Sequence, residues 1–148
     1  AQHVVGEGII LYPLMEKHLG AEGLKLTDHD REEHQHVKEM LSTMESLTPG
    51  TDEYDKILER MMVSLHHHDD EEIKDLPLVE PHLGEDANKE AALQFSLTKK
   101  FVPTRAHPGA PNKPPFETLA GFLLVPIDKL RDEFTKFLTE EMKEANFF

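Results

Sequence analysis

Two segments of the chain carry a histidine and a glutamate four residues apart, a spacing suited to holding a metal ion. The pairs are His3 with Glu7 and His67 with Glu71. Residues i and i+4 lie on one face of an α-helix, so an imidazole and a carboxylate in such a pair can reach the same ion. The pairs belong to an internal repeat with an offset of 64 residues, in which His, Glu, Ile, Pro, Leu, Glu, His, Leu and Gly recur in register. Together they supply about half of the ligands of a dinuclear centre inside a helical bundle.

A third histidine is predicted to face the same interior. His34 lies three residues before Val37 and seven before Leu41, which places it on the apolar side of its helix. Asp30 lies on the same side of the helix as His34, and Glu33 lies beside that side. A lone inward histidine is more often a hydrogen-bonded core residue, but beside two histidine–glutamate pairs we interpret His34 as a metal ligand.

The run of three consecutive histidines, residues 66–68, leaves a choice of register. Neighbours in a helix point about 100° apart, so at most one or two of the three can face the core. An apolar stripe that continues into His68 and Glu72 is as regular as one that continues into His67 and Glu71. The repeat favours His67 and Glu71, which we adopt. Of the remaining histidines, we expect solvent-facing or supporting roles for His66 and His68, helix-end positions for His18 and His82, and surface positions for His29 and His36, while His107 is unassigned.

Composition limits both the metal chemistry and the partners. The chain has 148 residues with ten His and no Cys, so a metal site must use imidazole and carboxylate, a combination that suits zinc, iron, manganese or nickel. With 16 Lys and Arg against 29 Asp and Glu, the net charge is −13. This balance disfavours nucleic acid and anionic membrane surfaces as partners. No apolar run approaches the ~20 residues of a membrane helix and no signal peptide is evident, so we expect a cytoplasmic location.

The pattern of apolar residues predicts an all-α fold. We expect one helix from about residue 2 to 18, interrupted at Pro13, and a second from Thr27 or Asp28 to Leu47. The next should begin at Thr51 or Asp52 and reach at least Glu72, before Pro77 and Pro81 break the chain. Short connections favour an antiparallel bundle. Further helices are predicted for 85–100 and 117–145, the latter bent by Pro126 and preceded by an extended loop at 101–116 that contains five prolines. We assign residues 1–84 to a helical core and 85–148 to an extension packed on the same domain.

These motifs, taken together, resemble the hemerythrin-like, or HHE cation-binding, family. The matching elements are His3-x-x-x-Glu7 followed by Tyr12-Pro13, Glu33-His34, and His67-x-x-x-Glu71 followed by Leu76-Pro77. The stretch from Phe101 to Phe116 resembles the tail that follows this domain in small fungal members. The resemblance implies an up-down four-helix bundle around a non-haem di-iron centre, oxo- or carboxylate-bridged, with His3, Glu7, His34, His67 and Glu71 as ligands.

Two departures from the family pattern affect the expected function. The pattern begins with a helix that carries a further histidine ligand, and this sequence does not contain it. We therefore expect an incompletely occupied site and an exposed apolar groove that favours a homodimer. Oxygen-carrying members also have a histidine where this chain has Asp30. An additional carboxylate favours oxidised iron, which points away from reversible oxygen carriage.

Three functions follow from these features. The first is a non-haem di-iron bundle that binds or senses iron, dioxygen or peroxide. The alternative is a helical binding module without metal, whose apolar groove holds a partner helix or a small apolar ligand. Metal-assisted hydrolysis ranks last, because a site in a bundle core offers no obvious access for a substrate. No enzymatic activity is assigned from the sequence.

Overall fold

The structure, a computed structural model, describes residues 1–113 and 116–133. Every regular element among these residues is helical, which confirms the predicted all-α class. The last helix, expected to reach residue 145, is described as far as residue 133, and the remainder of that prediction lies outside the described residues. The elements are α1 (Gln2–Gly6), a π-helical turn (Glu7–Leu11), α2 (Tyr12–Leu19), α3 (Ala21–Met44), α4 (Asp52–Thr98), a 3₁₀ turn (Lys99–Phe101) and α5 (Phe116–Glu133).

The first three elements form one helical run that is widened in its middle by the π turn. Pro13 has no N–H to donate to the carbonyl of Ile9, and its ring crowds that carbonyl in a regular α-helix. The chain adapts with a wider turn, in which the N–H of Tyr12 donates to the carbonyl of Glu7, five residues back. The interruption predicted at Pro13 thus takes the form of a π turn, and Glu7 and Tyr12 at its two ends are both buried. Such turns often occur at functional sites.

The second helix begins earlier than predicted. The prediction placed its start at Thr27 or Asp28, whereas α3 begins directly after Gly20. Gly20 has a φ of 60°, a conformation that glycine adopts without strain, and the chain reverses there. A Cβ on Gly23 would lie 2.2 Å from the backbone oxygen of Met15, so α2 and α3 can approach this closely only at a glycine. Thr27 is therefore not a helix cap but a fully buried residue of the helix interior.

The third helix begins where predicted but runs past its predicted end. Thr51 is its N-cap, and the side chain accepts a hydrogen bond from a backbone N–H of the first turn. Pro77 and Pro81 were expected to break the helix, and this was wrong, since α4 continues through both. Both prolines are exposed, so water can satisfy the carbonyls that lose their donors. The break comes instead at Gly84, where φ is 75°, and the helix predicted for 85–100 follows it.

The neighbouring helices run antiparallel. His29 of α3 contacts Glu71 of α4, and His34 of α3 contacts His68 of α4. Residue numbers rise along α3 as they fall along α4, which defines the antiparallel pairing. The helices α2 and α3, joined by a single glycine, pair in the same way. The antiparallel order brings side chains from the middle of three helices to one level of the bundle.

The described residues include two buried apolar clusters. Along α3 and α4, the buried side chains of His34 and His68 lie between the residues that contribute to these clusters. A polar layer is thereby enclosed by apolar packing on two sides, which limits its access to water. The buried members are Tyr12, Met15 and Val79 in one cluster and Val37, Met40 and Met61 in the other.

The proline-rich segment contacts two helices. Residues 102–113 contain no regular helix, as predicted from their prolines. The Gln35 side chain of α3 donates a hydrogen bond to the carbonyl of Pro108 at 2.9 Å. Asp128 of α5 is buried and accepts a hydrogen bond from the N–H of Arg105 at 2.8 Å. The division into a core and an extension at residue 84 stays a prediction. In the described part of the chain, no helix combines the length and the apolar character needed to cross a membrane.

Candidate metal centre

Glu7 is one of the most deeply buried acidic residues of the described structure. Its side chain is 2% exposed, and it lies at the start of the π turn. Both carboxylate oxygens are buried, and neither has a hydrogen bond of good geometry among the described residues. Nε2 of His3 lies 2.8 Å from Oε1, and Nε2 of His34 lies 3.4 Å from Oε2. Burial removes both oxygens from water, and a cation between the carboxylate and the imidazoles would take the place of that water.

His34 and His68 aim the same ring atom at each other. Their Nε2 atoms are 2.8 Å apart, and both side chains are buried. Two imidazole nitrogens bound to one ion at about 2.1 Å lie roughly 3 Å apart, so the observed spacing is close to that of a ligand pair. The Nε2 atom of His34 also faces Glu7. We name Glu7, His34 and His68, together with His3 and Glu72, the inner cluster.

The opposite ring nitrogens of these two histidines are held from outside the cluster. Nδ1 of His68 donates to Oε2 of Glu33 at 3.0 Å, since an ionised carboxylate can only accept. Nδ1 of His34 lies 2.9 Å from the hydroxyl of Tyr12, which can accept or donate. Metal-binding histidines almost always have such a partner on the second nitrogen, because it fixes the tautomer and directs the free lone pair at the ion. The residues present therefore fit a metal ion.

A second group of ligand atoms shares Glu7 with the first. Ligand atoms of His3, Glu7 and Glu72 lie within 4.8 Å of one another, as do those of Glu7, His34 and His68. Each oxygen of Glu7 faces a different histidine. A carboxylate in this position can bridge two ions, as carboxylates do in dinuclear centres of helical bundles.

Burial and neighbouring charged groups together set the protonation states of the inner cluster and of Asp30 beside it. Burial lowers the pKa of His34 to about 3, which keeps this imidazole neutral and able to bind metal at neutral pH. Burial acts to raise the pKa of Glu7, but contacts with His3 and His34 outweigh it and leave that pKa below its ordinary value. Burial and the nearby Glu7 carboxylate raise the pKa of Glu72 to about 7. Burial likewise raises the pKa of Asp30, beside His68, to about 6.

A comparison with known proteins identifies the family. The chain is 50% identical over 138 residues to a protein of the fission yeast Schizosaccharomyces pombe, named there as an uncharacterized hemerythrin-like protein. The match covers 93% of this chain and 68% of the yeast protein. The chain belongs to the hemerythrin-like family. The predicted resemblance to this family and its fungal members is thereby confirmed. No family profile and no solved structure matches the chain.

The hemerythrin-like bundle brings three of the five predicted ligands together and places the other two elsewhere. His3, Glu7 and His34 belong to the inner cluster. The side chain of His67 is 64% exposed, and Glu71 lies beside it and His29, on the outer side of α3 and α4. The inner positions are taken by the alternative register, His68 and Glu72.

The sequence contained a signal for this register that the repeat obscured. His68 follows Met61 by seven residues and is buried with it on one face of α4. The repeat instead aligned His67 with His3, which faces the inner cluster from a partly exposed position near Phe95. The π turn that begins at Glu7 rotates the rest of the first helical run relative to a regular α-helix. Residues at the same spacing in the two copies of the repeat therefore do not face the same side of their helices. Glu33 and Tyr12, which hold the inner histidines, were not predicted to do so.

Proposed function

We propose that this hemerythrin-like chain binds non-haem iron at the inner cluster, as a di-iron centre that binds or senses dioxygen or peroxide. The observation that supports the proposal most directly is the position of Glu7. Its two buried oxygens face different histidines, and each oxygen belongs to a separate group of three potential ligands. His34 and His68 would hold one ion, His3 and Glu72 would hold the other, and Glu7 would bridge them. Iron in this position supplies redox chemistry with dioxygen or peroxide.

The remaining residues have defined tasks around this centre. Tyr12 and Glu33 orient the two buried imidazoles. Apolar clusters on two sides keep bulk water from the buried histidines. Asp30 adds a carboxylate beside His68, which favours the oxidised state of iron. This charge supports sensing or redox protection rather than reversible oxygen carriage.

A groove provides access to the inner cluster for a small molecule. It has a volume of about 370 Å³ and is open to solvent. His3, Glu7 and Glu72 lie at its polar end, and apolar side chains form most of its remaining wall, among them Ile10, Leu14, Val79, Leu83 and Phe95. Dioxygen and peroxide are small enough to reach the carboxylates along this route.

The same groove supports the alternative, a binding module that holds a partner helix or a small apolar ligand without metal. Metal analysis after anaerobic loading with Fe²⁺ separates the two functions. Bound iron with a near-ultraviolet charge-transfer band supports the iron centre, whereas a chain that binds no iron supports the module. The proposed homodimer is tested separately by light scattering, in which a monomer at all concentrations would contradict it.

A further inference from the structure

Four side chains outside the inner cluster form a second group of metal-binding type. We name His29, Glu33, His67 and Glu71 the outer cluster. Nε2 of His29 lies 3.2 Å from Oε2 of Glu71 and 4.0 Å from Oε1 of Glu33. Nε2 of His67 lies 3.4 Å from Oε1 of Glu71. Ligand atoms from His29, Glu33 and Glu71 all lie within 4.8 Å of one another.

The outer cluster results from two histidine–glutamate pairs on neighbouring helices. His29 and Glu33 are four residues apart on α3, and His67 and Glu71 are four residues apart on α4. Each pair occupies one face of its helix, and the antiparallel pairing of α3 and α4 sets the two faces side by side. Ligand atoms of His29, Glu33 and Glu71 then meet between the two helices, and His67 adjoins them through its contact with Glu71. Rigid helices hold ligands more reliably than loops do.

The outer cluster also has the access that an exchangeable ion requires. The side chains of His29 and His67 are 53% and 64% exposed. A surface concavity of about 410 Å³ adjoins them and is lined by His29, Glu33 and His67 together with Glu32, His36 and other residues. Two carboxylates and the acidic surroundings match a divalent cation in charge, and two imidazoles select a transition metal over Ca²⁺ or Mg²⁺.

We propose that the outer cluster is a second binding site, open to solvent, for a divalent transition-metal ion such as Zn²⁺. Its ligands are His29, Glu33, His67 and Glu71, none of which is a ligand of the proposed iron centre. The two sites meet at Glu33, whose Oε1 faces His29 while Oε2 accepts the hydrogen bond from Nδ1 of His68. The Glu33 carboxylate therefore lies between an ion in the outer cluster and the inner histidine His68.

Zn²⁺ titration of the full chain by calorimetry and equilibrium dialysis tests this site. The three consecutive histidines offer matched variants, since His66 and His67 are both exposed and His68 is buried. We expect His67→Ala to remove one class of Zn²⁺ site or to weaken it about tenfold or more, in line with the loss of a metal-supporting group. His66→Ala should bind as the unchanged chain does, and His68→Ala should retain the outer site.

A second variant and a spectroscopic measurement complete the test. Glu71→Gln should weaken the same class of site as His67→Ala, and Zn²⁺ should shift the nuclear magnetic resonances of the His29 ring before those of His36. Equal Zn²⁺ affinities for His66→Ala and His67→Ala, in chains of unchanged helical content, would overturn the proposal. The outcome is independent of the iron centre, because a failure of the inner cluster to bind iron leaves the effect of His67→Ala on Zn²⁺ binding unchanged.

Discussion

The inner and outer clusters use the same side-chain types at different depths of one bundle. Both draw histidine from α3 and α4, and both contain glutamates four residues from a histidine. His34 and His68 are 4% and 6% exposed, whereas the side chains of His29 and His67 are more than half exposed. Among the histidines of the two clusters, only His34 and His68 are held on both ring nitrogens by other buried or half-buried groups. Spacing alone thus brings potential ligands together, and we expect burial and supporting hydrogen bonds to make the inner cluster the tighter metal site.

The largest expected difference is between neighbouring histidines. His68→Ala should abolish tight Co²⁺ binding at the inner cluster, because it removes a buried ligand and leaves Glu33 without its donor. His67→Ala should leave that tight binding intact, since its side chain faces the outer cluster. Visible absorption during a Co²⁺ titration measures both effects. Loss of tight Co²⁺ binding in His67→Ala, with retention in His68→Ala, would show that the tight site is the outer cluster and not the inner one.

Glu7→Gln should remove most of the stabilisation that metal provides. An ion that binds only the folded chain raises the free energy of unfolding by about 2.7 kcal/mol at a concentration 100 times its Kd. In the unchanged chain, chelation should therefore lower the urea midpoint clearly. Glu7→Gln removes the charge that faces both inner groups, so its midpoint should respond little to metal or chelator. Equal responses of the two chains would show that the stabilising ion binds elsewhere.

Tyr12→Phe should have an intermediate effect. It removes the hydroxyl beside Nδ1 of His34 and keeps the ring in the apolar cluster. Loss of such a supporting hydrogen bond weakens metal affinity by about 10–100-fold. Competition with a chelator measures the inner affinity, and the affinity of the outer cluster serves as an internal control. An unchanged metal affinity of the inner cluster would show that the Tyr12 hydroxyl does not support metal binding by His34.

The smallest expected effect is a change of stability with pH in the metal-free chain. The raised pKa of Glu72, about 7, means that the folded chain binds this proton more tightly than the unfolded chain, whose glutamate titrates near its ordinary 4.5. The contribution of Glu72 to stability therefore falls as pH rises from about 4.5 to 7. Gln does not titrate, so the Glu72→Gln chain does not lose stability in this way. The free energy of unfolding of the variant minus that of the unchanged chain should therefore rise from about pH 4.5 to 7 and stay level above pH 7. Urea unfolding with chelator present measures this difference in the free energy of unfolding. A difference that stays constant between pH 5 and 8 would contradict the raised pKa of Glu72.

Most of the fold could be predicted from local signals. The apolar periodicity, the cap at Thr51 and the prolines of 101–116 fixed the helical class and the non-helical segment. The errors came from tertiary effects. Pro77 and Pro81 do not end α4, because both are exposed and water can replace the missing donors. The early start of α3 depends on close packing at Gly23, which no local rule describes.

The site was predictable in composition and less so in register. His3, Glu7 and His34 were recognised from spacing, and the structure brings them together. The choice between His67 and His68 depends on how α4 is rotated against α3, a property of tertiary packing. The outer cluster needed that same information, because His29 and Glu71 are 42 residues apart in sequence.

The central claim is that the inner cluster holds iron, and metal content after anaerobic loading with Fe²⁺ tests it most directly. After removal of weakly bound metal, the unchanged chain should retain about two irons per chain, the number expected for a carboxylate-bridged pair in a helical bundle. It should also develop a charge-transfer band on exposure to air, and the His68→Ala chain should show neither property. An unchanged chain that retains no iron, or a His68→Ala chain that retains as much as the unchanged one, would contradict the account.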